Sequence, residues 1–182
     1  MTTMTDQLVA TCWTSAGNTS PQAEDPRSPV DFRERVEAAG RTGYVGMGFI
    51  LADLVRAEER YGLAGMKSIL DDNGMVRREV EFLMGWWATG PEREASDADR
   101  RAMLRYVEGL GANLLKVGPQ ENDSPWQLDH WAREFSALAD QAAGVGARLA
   151  IEFLPWANID TLGTANALID AAGNPNGGMV ID

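Results

Sequence analysis

Arg148-Leu149-Ala150-Ile151-Glu152-Phe153 and, one repeat later, Gly178-Met179-Val180-Ile181-Asp182 are the stretches that decide the fold. Each is a short apolar run, of a length that suits a buried strand, with a carboxylate at its carboxyl end. Runs of the same character occur at Leu8–Trp13, Tyr44–Phe49, Glu79–Trp86 and Asn113–Val117. The six starts, at residues 8, 44, 79, 113, 148 and 178, recur every 30 to 36 residues. Between the runs the apolar residues take a helical period. Phe32, Val36 and Ala39 make one stripe, and Met103, Tyr106, Val107 and Leu110 a second. Trp131, Phe135, Leu138 and Ala142 make the clearest, and Leu168, Ile169 and Ala172 the last. Met66, Ile69 and Leu70 mark a shorter helix ahead of the third run.

Punctuation agrees with this alternation. Ser28-Pro29 and Ser96, the latter followed by Asp97 and Asp99, read as helix starts. Gly40, Gly111, Gly144 and Gly173 read as helix ends. Strand–helix alternation at this spacing predicts parallel strands joined by right-handed crossovers. Returns from helix to strand are brief. Exits at 14–28, 88–96, 118–125 and 154–163 are long and polar, which puts the binding face at the carboxyl ends of the strands. An open doubly wound sheet would carry a glycine-rich phosphate turn after its first strand. Ser15-Ala16-Gly17-Asn18-Thr19-Ser20 is neither that turn nor a P-loop, and Gly46-Met47-Gly48, inside a strand, is a weak signal. The repeat therefore predicts an α/β fold: an incomplete (β/α)8 TIM barrel of five βα units plus a sixth strand, a single domain over residues 1–182 built on a parallel sheet.

Composition narrows the function classes. A net charge of −11 disfavours a large nucleic-acid footprint. No run approaches the roughly 18 apolar residues of a membrane helix, and no convincing signal peptide opens the chain. The single Cys12 argues against a disulfide framework and suits a reducing cytoplasm. The acids Glu92, Glu94, Asp97 and Asp99 read as a solvated loop and helix start.

The segment from Arg148 to Trp156 resembles the fifth strand of the xylose isomerase-like sugar phosphate isomerase/epimerase barrels, and Asn174–Asp182 resembles the approach to their sixth. Cys12-Trp13-Thr14, Gly43–Leu54 and Asn113–Pro119 share the likeness, so it covers most of the chain. The resemblance implies divalent-metal-dependent isomerisation or epimerisation of a sugar or sugar phosphate, by proton transfer beside a polarised carbonyl through an enediolate. It implies Glu152 as metal ligand and acid/base residue, and Asp182 as second ligand, with Mn²⁺, Mg²⁺ or Zn²⁺ as the ion. Family members take further ligands from later strands, so the resemblance also implies that this chain holds metal weakly and turns over poorly alone. A dehydratase or lyase acting on a polyol or keto acid is the alternative within the fold. A catalytically dead fragment, self-associating through exposed sheet edges, is the alternative outside catalysis.

Other residues divide between chemistry and packing. Lys116, at the tip of the fourth strand, could hold a substrate phosphate or carboxylate, or equally be a lysine that covers apolar surface with its stem. Trp13, Trp86, Trp87 and Trp156 lie at strand ends, where they could wall a sugar site or simply pack; Trp13 and Trp156 are the candidates for substrate binding. His130, the only histidine, falls out of phase with the Trp131 stripe and reads as a surface residue. Cys12 reads as a small core residue.

Overall fold

A computed structural model describes residues 7–120 and 126–181. Six strands, β1 (Val9–Ala10), β2 (Gly46–Ile50), β3 (Arg77–Leu83), β4 (Leu114–Val117), β5 (Arg148–Glu152) and β6 (Gly177–Val180), form one sheet in sequential order. All neighbouring pairs are parallel. Sequential order without reversal is the barrel pattern; a doubly wound sheet would reverse direction at a switch point. The sheet is a partial TIM barrel and does not close.

Five helices follow the strands: α1 (Phe32–Arg41), α2 (Leu51–Asp72), α3 (Gly90–Leu110), α4 (Leu128–Gly144) and α5 (Leu162–Ala172). The predicted stripes face the core: Val36 and Ala39 on α1, Met103, Tyr106, Val107 and Leu110 on α3, and Trp131, Phe135, Leu138 and Ala142 on α4 are buried, while on α5 Leu168 is buried and Ile169 and Ala172 partly so. They pack on the outward strand residues Met47, Phe49, Val80, Leu115, Val117, Leu149 and Ile151, which together make the core. The opposite face of the sheet, the barrel interior, carries the residues that alternate with these.

Several local readings change. The first strand is two residues long, because the chain turns at Cys12–Thr14 in a single 3₁₀ turn. α1 begins one turn after Ser28: Asp31 is its cap and accepts from the Arg33 N–H. The Ser28 hydroxyl instead donates to the Ala16 carbonyl at 2.9 Å. α3 begins at Gly90, so Ser96 sits inside it, donating to the Met84 carbonyl at 2.7 Å. α2 is a full 22 residues, two helical stretches joined at Gly62, whose φ of 64° suits glycine. Gly111 and Gly173 do end their helices in left-handed conformation, whereas Gly40 and Gly144 lie inside theirs. Among the described residues, no helix is long and apolar enough to cross a membrane.

Candidate functional site

Strand alternation sends Glu79 and Glu81 of β3, Lys116 of β4 and Glu152 of β5 to the interior face. The β3–β4 register shifts between Val80 and Leu83, so Glu81 and Phe82 both reach the cleft at the carboxyl ends of the strands. That cleft has a volume of about 220 Å³. Ile50, Glu81, Phe82 and Glu152 form its floor; Trp13, Pro21 and Gln22 from the first exit loop and Leu154 and Trp156 from the fifth form its sides.

Glu81 is 4% exposed and held at both oxygens. The Cys12 N–H donates to Oε1 at 2.9 Å, and the Lys116 ammonium lies 3.4 Å from Oε2. Gly48 on β2 makes this pose feasible: a Cβ there would collide with Glu81 Oε1. Burial pushes the Glu81 carboxyl above the usual carboxylate range, more than the Lys116 charge and the Cys12 N–H pull it back. The same environment raises the Cys12 thiol to about 12, through burial first and the Glu81 charge second. Cys12 therefore stays a neutral thiol and serves the site through its backbone.

Lys116 is fully buried, with Nζ 3.0 Å from Glu79 Oε2 as well as near Glu81. Burial works against its charge, but the Glu81 and Glu79 carboxylates, with a smaller contribution from Glu152, raise it above an ordinary lysine. It is neither a lysine tip reaching out to a substrate phosphate nor a snorkelling surface residue. In this structure it is an internal counter-charge to Glu79 and Glu81. Glu152 is half-buried at the end of β5 and lines the cleft.

Trp156 is 62% exposed at the tip of a turn closed by the Ala157 N–H donating to the Leu154 carbonyl at 2.9 Å. Asn158 anchors that loop to the preceding one. Its N–H donates to the Gln120 carbonyl, and its side-chain oxygen accepts from the Gln120 N–H, both at 3.1 Å. The structure separates the four tryptophans. Trp13 and Trp156 line the cleft, while Trp86 and Trp87 pack against Trp131 of α4 on the helix side of the sheet. The Trp86 indole N–H donates to the Gly118 carbonyl at 2.8 Å. His130 is away from the cleft, with Nε2 donating to the Trp87 carbonyl at 2.7 Å.

Two buried charge sets were not singled out from sequence. Glu79 and Glu81 sit at period two in a buried strand, a pattern that signals an interior-facing acid pair. Arg35 and Asp53 form a buried ion pair at 2.5 Å that ties α1 to α2. Asp53 also accepts from the Ser28 N–H at 2.9 Å.

The divalent ion implied by the resemblance does not fit the described residues alone. Among them, no three His, Cys, Asp or Glu side chains converge where an ion could be held. Glu79 and Glu81 are directed to Lys116, and of the two expected ligands only Glu152 is among the described residues. Asp182, the other expected ligand, lies outside the described residues.

Comparison with known proteins agrees with the architecture. No curated protein sequence matches this chain. Among solved structures, the IolI protein with a bound zinc atom superposes with a TM-score of 0.77 at 14% identity, covering 97% of this chain and 62% of that one. A D-allulose 3-epimerase from Methylomonas sp., in complex with D-allulose, gives 0.66 at 20% identity, covering 81% and 55%. The probable 3-DHS dehydratase AsbF of Bacillus anthracis gives 0.68 at 12%, covering 94% and 61%. At these identities the likeness shows the fold, and the chain spans less than two thirds of the length of each of these proteins. The family described as xylose isomerase-like TIM barrel matches residues 36–182, and this chain belongs to it.

Proposed function

We propose that this chain carries part of the active site of an isomerase or epimerase that moves a proton at the carbon next to the carbonyl of a polyhydroxy substrate. The observation that carries the reading is the pairing of Glu152 and Glu81 in one cleft between two tryptophans, at the strand ends where such barrels place their chemistry. Trp13 and Trp156 offer flat faces for the apolar side of a sugar ring. Glu152, half-buried and ionisable, takes the proton from carbon. Glu81, held by the Cys12 N–H and the Lys116 ammonium, is a fixed part of the floor against which a substrate hydroxyl can lie. Epimerases and a dehydratase both occur among the structural neighbours. A base at Glu152 is what proton transfer requires, and it favours that reading over loss of water, which also needs an acid for the departing hydroxyl. Glu152 and Asp182 are the proposed carboxylate contribution to a divalent-metal centre, whose ion would polarise the substrate carbonyl. A reducing cytoplasm, which the single buried Cys12 suits, is the proposed setting.

Incubation with D-fructose or D-allulose in D₂O, with and without added Mn²⁺, tests the half-reaction. Deuterium should enter at the carbon beside the carbonyl, observed by proton NMR. Glu152→Gln should slow that exchange by about 10²-fold or more. Exchange that is absent, or indifferent to Glu152→Gln, overturns the assignment.

A further inference from the structure

We infer that the part of the substrate held between Trp13, Trp156 and the Glu81–Glu152 floor is uncharged, so that this chain favours a free sugar or polyol over its phosphate ester or acid. The inference rests on the sugar-site reading and narrows it to a substrate class. Among the described residues, the cleft is lined by aromatic, aliphatic and amide side chains and by two carboxylates, with no Lys, Arg or His. The interior cation beneath it, Lys116, is fully buried and lies 3.0 Å from Glu79 and 3.4 Å from Glu81, so its charge is already committed. Arg27 of the first exit loop and Arg35 of α1 are committed as well. Arg27 closes on Asp25 at 2.7 Å, and Arg35 on Asp53 at 2.5 Å. Residues 1–6, 121–125 and 182 contain no basic side chain, so none of them can supply one.

A helix N-terminus is the other common cradle for an anion. α2 starts directly after Ile50 at the cleft floor, but its first turn already holds an acid, Asp53. Three carboxylates, Glu79, Glu81 and Glu152, thus act on one ammonium, Lys116, beneath the cleft, within a chain of net charge −11. A phosphate dianion placed there would lose its hydration without gaining the charge-assisted partners that phosphate sites provide. A neutral polyol meets the opposite situation. Its hydroxyls donate to Glu152 and Glu81, and its C–H faces lie against Trp13 and Trp156.

The test is a matched titration of the full 182-residue chain with D-fructose and D-fructose 6-phosphate, at equal ionic strength in metal-free buffer. Tryptophan fluorescence and saturation-transfer NMR report binding. The free sugar should bind, and the ester should bind at least about tenfold more weakly, the penalty expected for like charges at close range. Gln22→Lys adds a cation at an exposed position of the cleft wall and should narrow that gap. An ester that binds as well as or better than the sugar, or a gap indifferent to Gln22→Lys, overturns the inference and leaves the sugar-site reading standing. Binding by neither ligand overturns the sugar-site reading and the inference with it.

Discussion

Placing a lysine and two glutamates inside a barrel removes three charges from water, and each costs several kcal/mol unless compensated. Here the compensation is mutual: Lys116 lies within 3.0–3.4 Å of Glu79 and Glu81, and the Cys12 N–H takes the remaining Glu81 oxygen. Breaking such a set from one side leaves uncompensated charge, so Lys116→Met should cost about 3–5 kcal/mol of stability. Adding Glu79→Gln and Glu81→Gln to it should recover much of the loss. Urea unfolding of the three-variant series checks this; a loss below about 1 kcal/mol for Lys116→Met would mean that the carboxylates simply take up protons. Lys116 was recognisable in the sequence as a strand-tip residue, but its role was not. Its partners lie about 35 residues earlier on a neighbouring strand, and the register shift that turns Glu81 into the cleft has no signature along the chain. Gly46-Met47-Gly48 looked like a weak motif because its meaning is spatial: Gly48 is small so that Glu81 can lie across β2.

At the scale of elements, helices legible from their stripes were placed correctly, as were the glycine-capped ends of α3 and α5, whereas the starts of α1 and α3 were not. α2 starts without any loop after β2, so its first half had no polar exit to announce it. Ser96 looked like a cap because the acids after it suit one, yet the helix had begun at Gly90 with Pro91 in its first turn. What joins α2 to α3 on the surface is equally invisible in sequence: Arg105 grips Glu58 with both nitrogens, at 2.8 and 2.5 Å, and the Tyr106 hydroxyl donates to the same carboxylate at 2.6 Å. Arg105 foremost, then Tyr106, lowers the Glu58 carboxyl to about 2 from its ordinary 4.5. A depressed carboxyl contributes stability that is fully present above its unfolded value and is lost as pH falls through the folded one. The α2–α3 contribution should therefore disappear between pH 4.5 and about 2. Because the pair is partly exposed, it is worth no more than about 1 kcal/mol. Acid titration monitored by circular dichroism should show Glu58→Gln weaker than the parent at pH 6 and equal to it near pH 2. Parallel curves across that range would remove the cluster from the acid response.

For the whole molecule, the strand order followed from the repeat because each βα unit packs beside the one before it. The polar interior did not follow, since strand runs that read as apolar hide their inward residues among outward ones. That interior and the unclosed sheet make one further expectation. β1 and β6 are the terminal strands of the sheet, and each presents a row of backbone N–H and C=O groups on its outer side. Leu8 beside β1 and Ile181 beside β6 are exposed apolar residues at those two edges. Against pairing stands the net charge of −11, which makes two copies repel at long range, though only within about 10 Å at 0.1 M salt. Edge pairing acts at hydrogen-bond distance, where that repulsion is screened, so this 182-residue chain should associate with itself and do so more strongly as salt rises. Sedimentation velocity at tens of micromolar protein in low and high salt distinguishes the outcomes. A shift to dimers or larger species with salt, reduced by Ile181→Lys, supports edge pairing. A single monomeric boundary under both conditions means that the short β1 and β6 are too brief to template a partner.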